Sequence, residues 1–234
     1  MKTKMSRTVI VRMTPSFRRD IIDGIDEMEH FKNFTLDAIK NEKKSIQQRF
    51  DKHTKNLTEE EIINYCEWNS EDYFLIDAVF KTISLYSFIV IFYSYIENSL
   101  NTLCNAEYTD IELLHKKEGK PSFNIRYIDM KGVGIQRAKL YLEKVIGIDF
   151  HVNKRPWSEI NTLRKIRNVI VHNEGYASSD DIEKDDNIIQ HIKHGRLEIT
   201  DHGHDMNKKI LIKPEYLDFI LLTVRIFFKN IERK

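Results

Sequence analysis

Turn-forming residues are scarce in this chain, with 8 glycines and 4 prolines among 234 residues. So few breaks argue against a sandwich or barrel of many short strands and favour long helices. Cysteine is nearly absent. The two present, Cys66 and Cys104, stand at no metal-like or redox-like spacing. They read as reduced thiols of a cytoplasmic protein. An excess of one charge is missing too: 37 basic against 36 acidic residues leave a net charge of +1. No global field draws such a chain to nucleic acid or to a membrane, so a polyanion must meet a local cluster. The clusters are Lys154–Arg155, Arg164–Lys165–Arg167 and Lys116–Lys117–Lys120. The last absence is a long apolar run. The most apolar stretch, Thr82 to Ile96, is closed by Lys81 and Glu97 and falls short of the ~20 residues that span a bilayer. A buried core helix is expected there, with no membrane partner. The opening MKTKMSRTVIVRM is basic but lacks the apolar segment and cleavage site of a secretory signal.

What is present reads as helix. Residues 1–13 suggest an extended arm. Thr14-Pro15 joins a capping residue to one suited to the first helical position, and it predicts a long helix, or two, to about Lys55. Thr58-Glu-Glu-Glu61 is a capping box that opens a short helix through Trp68, broken at Asn69-Ser70. Phe74 to Cys104 should be the central helix. Ser94, Glu97, Asn98 and Asn101 share one side of it, and buried polar groups need partners, so this stripe should face a polar neighbour. Thr109 to Glu112 reads as a second capping box, opening a short helix that Gly119 closes. Residues 119–134 read as a loop. Ile135 to Ile146 is an amphipathic helix ended by Gly147, and Ser178 to Asp186 an acidic, solvated loop. Arg196–Thr200 and Lys208–Ile212 alternate around HGHD and predict a β-hairpin; Lys213-Pro214 opens a last helix to about Ile231. The expected fold class is all-α: a helical bundle over residues 71–234, with a helical extension over 1–70 and a small β-hairpin insertion.

The stretch LRKIRNVIVHNEG, Leu163 to Gly175, carries the functional signal. Ile160, Leu163, Ile166 and Ile170 recur at helical spacing, and Gly175 suits the helix end. Arg164, Lys165, Asn168 and His172 share a polar arc, with Asn168 and His172 one turn apart. Arg167 falls between Ile160 and Leu163, at the edge of the apolar face. A guanidinium there either snorkels along its own stem or meets a polar cleft or another subunit. An Arg, an Asn and a His around one groove suit a phosphate: Arg offers a planar fork to an oxyanion, and His exchanges a proton near neutral pH.

Arg167-Asn168-Val-Ile-Val-His172 resembles the motif of HEPN domains, an all-α family often found in RNA-cleaving toxins and defence proteins. FYSYIENSLNTLC is similar to an earlier helix of several HEPN groups, and KGVGIQRAKLYLEKVIGIDF to an element between them. The resemblance covers about residues 71–233. It implies a helical bundle that dimerises with two motifs facing each other, and metal-independent RNA cleavage by attack of a ribose 2′-hydroxyl on the adjacent phosphate. Arg167 would hold the phosphate, His172 would act as general base or acid, and Asn168 would position one of them. Glu97 and Asn98 would be supporting polar residues. Lys154, Arg155, Arg164 and Lys165 are the candidate RNA-binding cations. A partner antitoxin or defence protein is implied, and no cofactor. In some groups a modified Tyr stands two residues after the His; here that position is Glu174.

Plainer readings stand beside these. Arg167 and His172 suit a surface ion pair and a helix end. Glu97 suits a buried carboxylate tied to a structural cation. Phe88, Phe92, Tyr93 and Tyr95 suit core better than a platform for bases. His191, His194, His202 and His204, with Asp201 and Asp205, match no strong zinc spacing, so no metal is expected.

Overall fold

The scarcity of turn residues is realised as helix length: α1 (Pro15–Thr54) runs 40 residues without a break. The computed structural model describes residues 15–151, 153–201 and 207–231. The arm expected over residues 1–13, and His202 and His204 of the HGHD turn, lie outside them.

The capping box at Thr58 forms, with the Thr58 hydroxyl taking the Glu61 N–H and the Glu61 carboxylate taking the Thr58 N–H, and it opens α2 (Glu59–Phe74). The expected stop at Asn69-Ser70 does not occur. Neither residue is a helix breaker, and each costs only about half a kcal/mol relative to Ala inside a helix. The expected boundary between residues 70 and 71 therefore falls inside α2. A π-helical turn, Leu75–Phe80, carries the chain straight into α3 (Lys81–Lys117). The second capping box is also absent. Thr109 Oγ1 donates back to the Asn105 carbonyl at 3.0 Å, so the hydroxyl serves the existing helix and starts no new one.

The remainder follows in order. α4 (Gly134–Tyr141) ends in a π-helical turn closed at Gly147, and α5 (Lys154–Asn173) carries the Arg-Asn-x-x-x-His motif. Then come β1 (Tyr176–Ser178), α6 (Ser179–Glu183), α7 (Asp186–Lys193), β2 (Leu197–Asp201), β3 (Asn207–Ile212) and α8 (Pro214–Lys229). The stretch expected as an acidic loop is thus largely helical. Ser178 caps α6, Asp185 caps α7, and Asp180, Asp181 and Asp186 fall in first turns, where helix dipoles favour them. The expected hairpin is β2–β3, and β1 adds a third strand: the antiparallel order is β1-β3-β2, with Tyr176 opposite Lys209 and Ile199 opposite Ile210. The described chain is mostly helical, with a small three-stranded sheet.

Two compact units divide the described chain, and their boundaries fall inside α1, α3, α5 and α8. The first takes the described parts of Met1–Ile25, Phe92–Leu163 and Ile220–Lys234. Its core includes Phe92, Ile96, Leu100, Ile135, Tyr141, Ile160, Leu163 and Phe228, all fully buried. Trp157 stacks edge-on against Phe150 and tilts against Phe227. Tyr95 donates to the Ile21 carbonyl at 2.7 Å, and Arg18 to the Ile231 carbonyl at 3.1 Å.

The second unit takes Asp26–Ile91 and Arg164–Phe219. Its core is built from Leu85, Phe88, Ile89, Ile166, Ile188, Leu197, Ile210 and Leu217. Lys32 is buried and forms an ion pair with Asp218. His191 is also buried, with its ring edge-on to Tyr216 and Phe219 at about 5 Å.

α3 is the central helix expected, supplying Leu85, Phe88, Phe92, Ile96, Leu100 and Leu103 to the cores, but it is not buried on every side. Its residues Ile83, Ser87, Ile91, Ser94, Asn98, Thr102 and Asn105 are exposed and recur in steps of three and four, forming one stripe. Only 17% of the most apolar window of Glu71–Lys117 is buried. Because the π-helical turn joins two helices, this segment is long and apolar enough to cross a membrane by length and composition alone, a condition that the core helices of water-soluble proteins also meet.

Candidate functional site

α5 changes character along its length. In the first half, Trp157, Glu159, Ile160, Thr162 and Leu163 are buried over most of the circumference. After Ile166 the helix opens: Arg167, Asn168, Val169 and Ile170 are half-buried, and Val171, His172 and Asn173 are exposed. The amphipathic period places Arg167 at the margin of the buried face, as expected. The Arg167 Nε is enclosed, and the guanidinium reaches the neighbouring side chain, with Nη1 donating to Asn168 Oδ1 at 3.1 Å. That bond turns the Asn168 amide nitrogen away as a remaining donor. One turn on, His172 is exposed. Arg164, one turn before Asn168, is half-buried, and its enclosed Nε has no hydrogen-bond partner among the described residues.

The end of this helix is pinned from several sides. Glu174 and Gly175 both take positive φ, 53° and 92°. The Gly175 N–H donates to the Val169 carbonyl at 3.1 Å, and the Gly175 carbonyl accepts from Ile210 N–H at 2.9 Å, tying the helix end to β3. A methyl group at Gly175 would stand 2.2 Å from Tyr86 Oη, so only glycine lets the α3 tyrosine approach. The Tyr86 hydroxyl donates to the Ile210 carbonyl at 2.6 Å, and burial pushes its pKa up to about 12. The Arg-Asn-x-x-x-His segment thus sits on a helix end fixed by a strand and by a half-buried tyrosine.

The other sequence candidates fall elsewhere. Lys165 is exposed, but its ammonium forms an ion pair with Asp185, a buried carboxylate that also caps α7. Lys154 and Arg155 are exposed on the first turn of α5, in the first unit. Glu97 and Asn98 belong to the first unit as well, whereas Arg164 to His172 belong to the second. Ser94 and Asn98 lie on the exposed stripe of α3. Glu97 is half-buried, and a methyl group at Gly134 would come within 2.7 Å of its Oε1. Its carboxylate therefore rests at the first residue of α4, where the helix dipole favours negative charge. His194 is exposed, with Nδ1 2.6 Å from the Gln190 carbonyl. Among the described residues, no group of three or more His, Cys, Asp or Glu side chains is placed to hold a metal ion.

Sequence reasoning missed Tyr86, whose role depends on the approach of α3 to Gly175, and Asp185, which it placed in a loop. It also passed over Lys40, Lys43 and Lys44 of α1, which line a cavity together with Lys81. The signal was present as KNEKK, in a stretch read only for its apolar stripe. No protein-family model, curated protein or solved structure matches this chain.

Proposed function

We propose that this chain is a metal-independent endoribonuclease of the HEPN type, acting as a homodimer in the role of a toxin or antiviral defence effector. The observation that carries the reading is the state of the α5 end. Arg167 and Asn168 are joined by a hydrogen bond at the margin of the core, and His172 stands one turn away, open to a ligand. A guanidinium whose stem is enclosed and whose neighbour fixes it is preorganised to receive a phosphate oxyanion.

The reaction needs no oxidant and no metal. The ribose 2′-oxygen bonds to phosphorus, the bond from phosphorus to the 5′-oxygen breaks, and a 2′,3′-cyclic phosphate and a 5′-hydroxyl result. His172 takes the 2′-hydroxyl proton or supplies one to the leaving oxygen. Arg167 balances charge on the pentacovalent phosphate, and Asn168 holds the phosphate or the guanidinium. Two copies would supply two imidazoles, one for each proton transfer. The dimer is supported by apolar side chains left open on the second unit: Phe80 at 48%, Ile83 at 56%, Ile91 at 44% and Val171 at 45% exposure. Such side chains are costly to leave in water and suit a symmetric interface.

The test is cleavage of total RNA in EDTA by the parent, Arg167→Ala and His172→Ala, with oligomeric state checked by light scattering. Loss of cleavage in both dimeric variants supports the proposal; equal cleavage by all three ends it. One observation favours a second reading. His172 is exposed while Arg167 and Asn168 are already joined, as in an anion clamp without chemistry. A HEPN-like module that binds RNA, a nucleotide or a protein would bind with steep salt dependence and never cleave.

A further inference from the structure

Two cavities lie end to end along α1 within the second unit, and they share Gln47 and Tyr73 in their linings. The first, about 410 Å³, is lined by four ammonium groups, Lys40, Lys43, Lys44 and Lys81, against one carboxylate, Asp77. Lys43 bonds that carboxylate at 2.6 Å and lies over the Tyr73 ring at 5.1 Å. Lys81 and Lys213 act on the same Asp77, so one anion is shared among several cations and positive charge remains in excess. Lys40 and Lys44 are exposed.

The second cavity, about 530 Å³, has a different chemistry. Phe50 and Tyr65 line it with ring centroids 5.8 Å apart, and His53 stacks on Tyr65 at 5.8 Å with an interplanar angle of 27°. Tyr73, which is 43% exposed, closes the end nearer the lysines. From Leu36 to His53 the groove follows α1 for about 26 Å, at 1.5 Å per residue.

We infer that this groove binds single-stranded RNA, with phosphates on the lysine-lined half and bases stacked on the aromatic half. Cations that track a backbone beside aromatic rings are the means by which proteins hold single strands without reading sequence. Long exposed lysines without a glycine-rich cradle suit the spread charge of a strand better than one tightly bound nucleotide. The choice of RNA over DNA rests on the reading of α5 as a ribonuclease site. The groove would then be a substrate track separate from the residues that act on the phosphate.

The experiment uses the full chain and a labelled oligo-uridine of about twelve nucleotides. Anisotropy is read against salt for the parent, Lys40→Ala/Lys44→Ala and Tyr73→Ala, beside the matching oligo-thymidine. Loss of two phosphate contacts should flatten the slope of log affinity against log salt by about 1.4. Loss of the Tyr73 ring should weaken binding about tenfold. A second readout needs no substitution. Cys66 lines the aromatic cavity and is exposed, whereas Cys104 is buried with its thiol pKa pushed up to about 12. Saturating RNA should slow alkylation of Cys66 several-fold. An unchanged slope for the double variant, or unchanged alkylation at saturation, overturns the inference. Tighter binding of the DNA strand overturns the choice of RNA. Salt-dependent binding lost in the groove variants without any cleavage by the parent would uphold the groove and end the ribonuclease reading. Cleavage that needs Arg167 and His172 but not the groove lysines would do the reverse.

Discussion

The end of α5 and the middle of α3 each carry polar side chains at helical spacing, and they are held in different ways. On α5, Arg167 is half-buried and bonded to Asn168, and the helix end beyond His172 is fixed by β3 and Tyr86. On α3, Ser94 and Asn98 lie on an exposed stripe, and Glu97 rests against the first residue of α4. One pattern is an arginine placed where a structural helix gains little from it. The other is the solvent side of a helix, with one carboxylate at a neighbouring helix start. A wheel drawn from the sequence cannot separate the two, because it records direction and not what lies in that direction.

Substitutions sharpen the contrast. If the ribonuclease reading proposed above holds, Arg167→Ala or His172→Ala lowers RNA cleavage by about a hundredfold or more, read as initial rates in EDTA, because oxyanion and proton-transfer groups are worth that much. Glu97→Gln should leave cleavage nearly at the parental rate. A large loss with Glu97→Gln would restore the α3 stripe to the site.

The next effect is on stability. Gly175→Ala should destabilise the fold by about 3 kcal/mol in urea titration, since it combines a positive φ with a clash on the half-buried Tyr86. A change below about 1 kcal/mol would show that the α5 end is not pinned as described. Asp185→Ala should cost about 2 kcal/mol, because it removes the cap of α7 and leaves Lys165 without its carboxylate.

A pH effect follows from Tyr86. Its pKa in the fold, about 12, lies above the ordinary value of 10.0 because burial disfavours the phenolate. The contribution is therefore complete below pH 10 and is lost as pH rises through 12. Cys104, also pushed up to about 12 by burial, acts in the same direction. Tyr86→Phe should be less stable at neutral pH, by about 1 kcal/mol for its hydrogen bond, and should lose less on going to high pH. Stability measured by urea titration at several alkaline pH values would show it, and parallel curves for parent and variant would remove Tyr86 as the cause. The smallest effect is at Glu174, where φ of 53° suits glycine, so Glu174→Gly should stabilise by about 0.5 kcal/mol.

Much of the local structure was legible. The Thr58 capping box, the helix closed at Gly147, the β2–β3 hairpin and the start of α8 at Pro214 all stand where local chemistry put them. The misses share a cause. Asn69-Ser70 and Thr109 have weak preferences that a long packed helix overrides, and the acidic run at Ser178–Asp186 folds because Ile182 and Ile188 find a core to bury in. Of the candidate site, the shared face of Asn168 and His172 and the marginal place of Arg167 came from helical period alone. The engagement of Lys165 by Asp185 and the resting place of Glu97 did not.

The order of residues determined by itself that this chain is helical, where most helices start and end, and that one of them carries an arginine off its polar face. Those properties depend on neighbours within a turn or two, which the chain carries along wherever it folds. Tertiary structure alone decided that Tyr86 approaches Gly175, that α1 and α2 enclose a groove of lysines and rings, and that one side of α3 is left bare. Each of these joins residues distant in the chain, and which surfaces meet depends on how whole helix faces fit against one another.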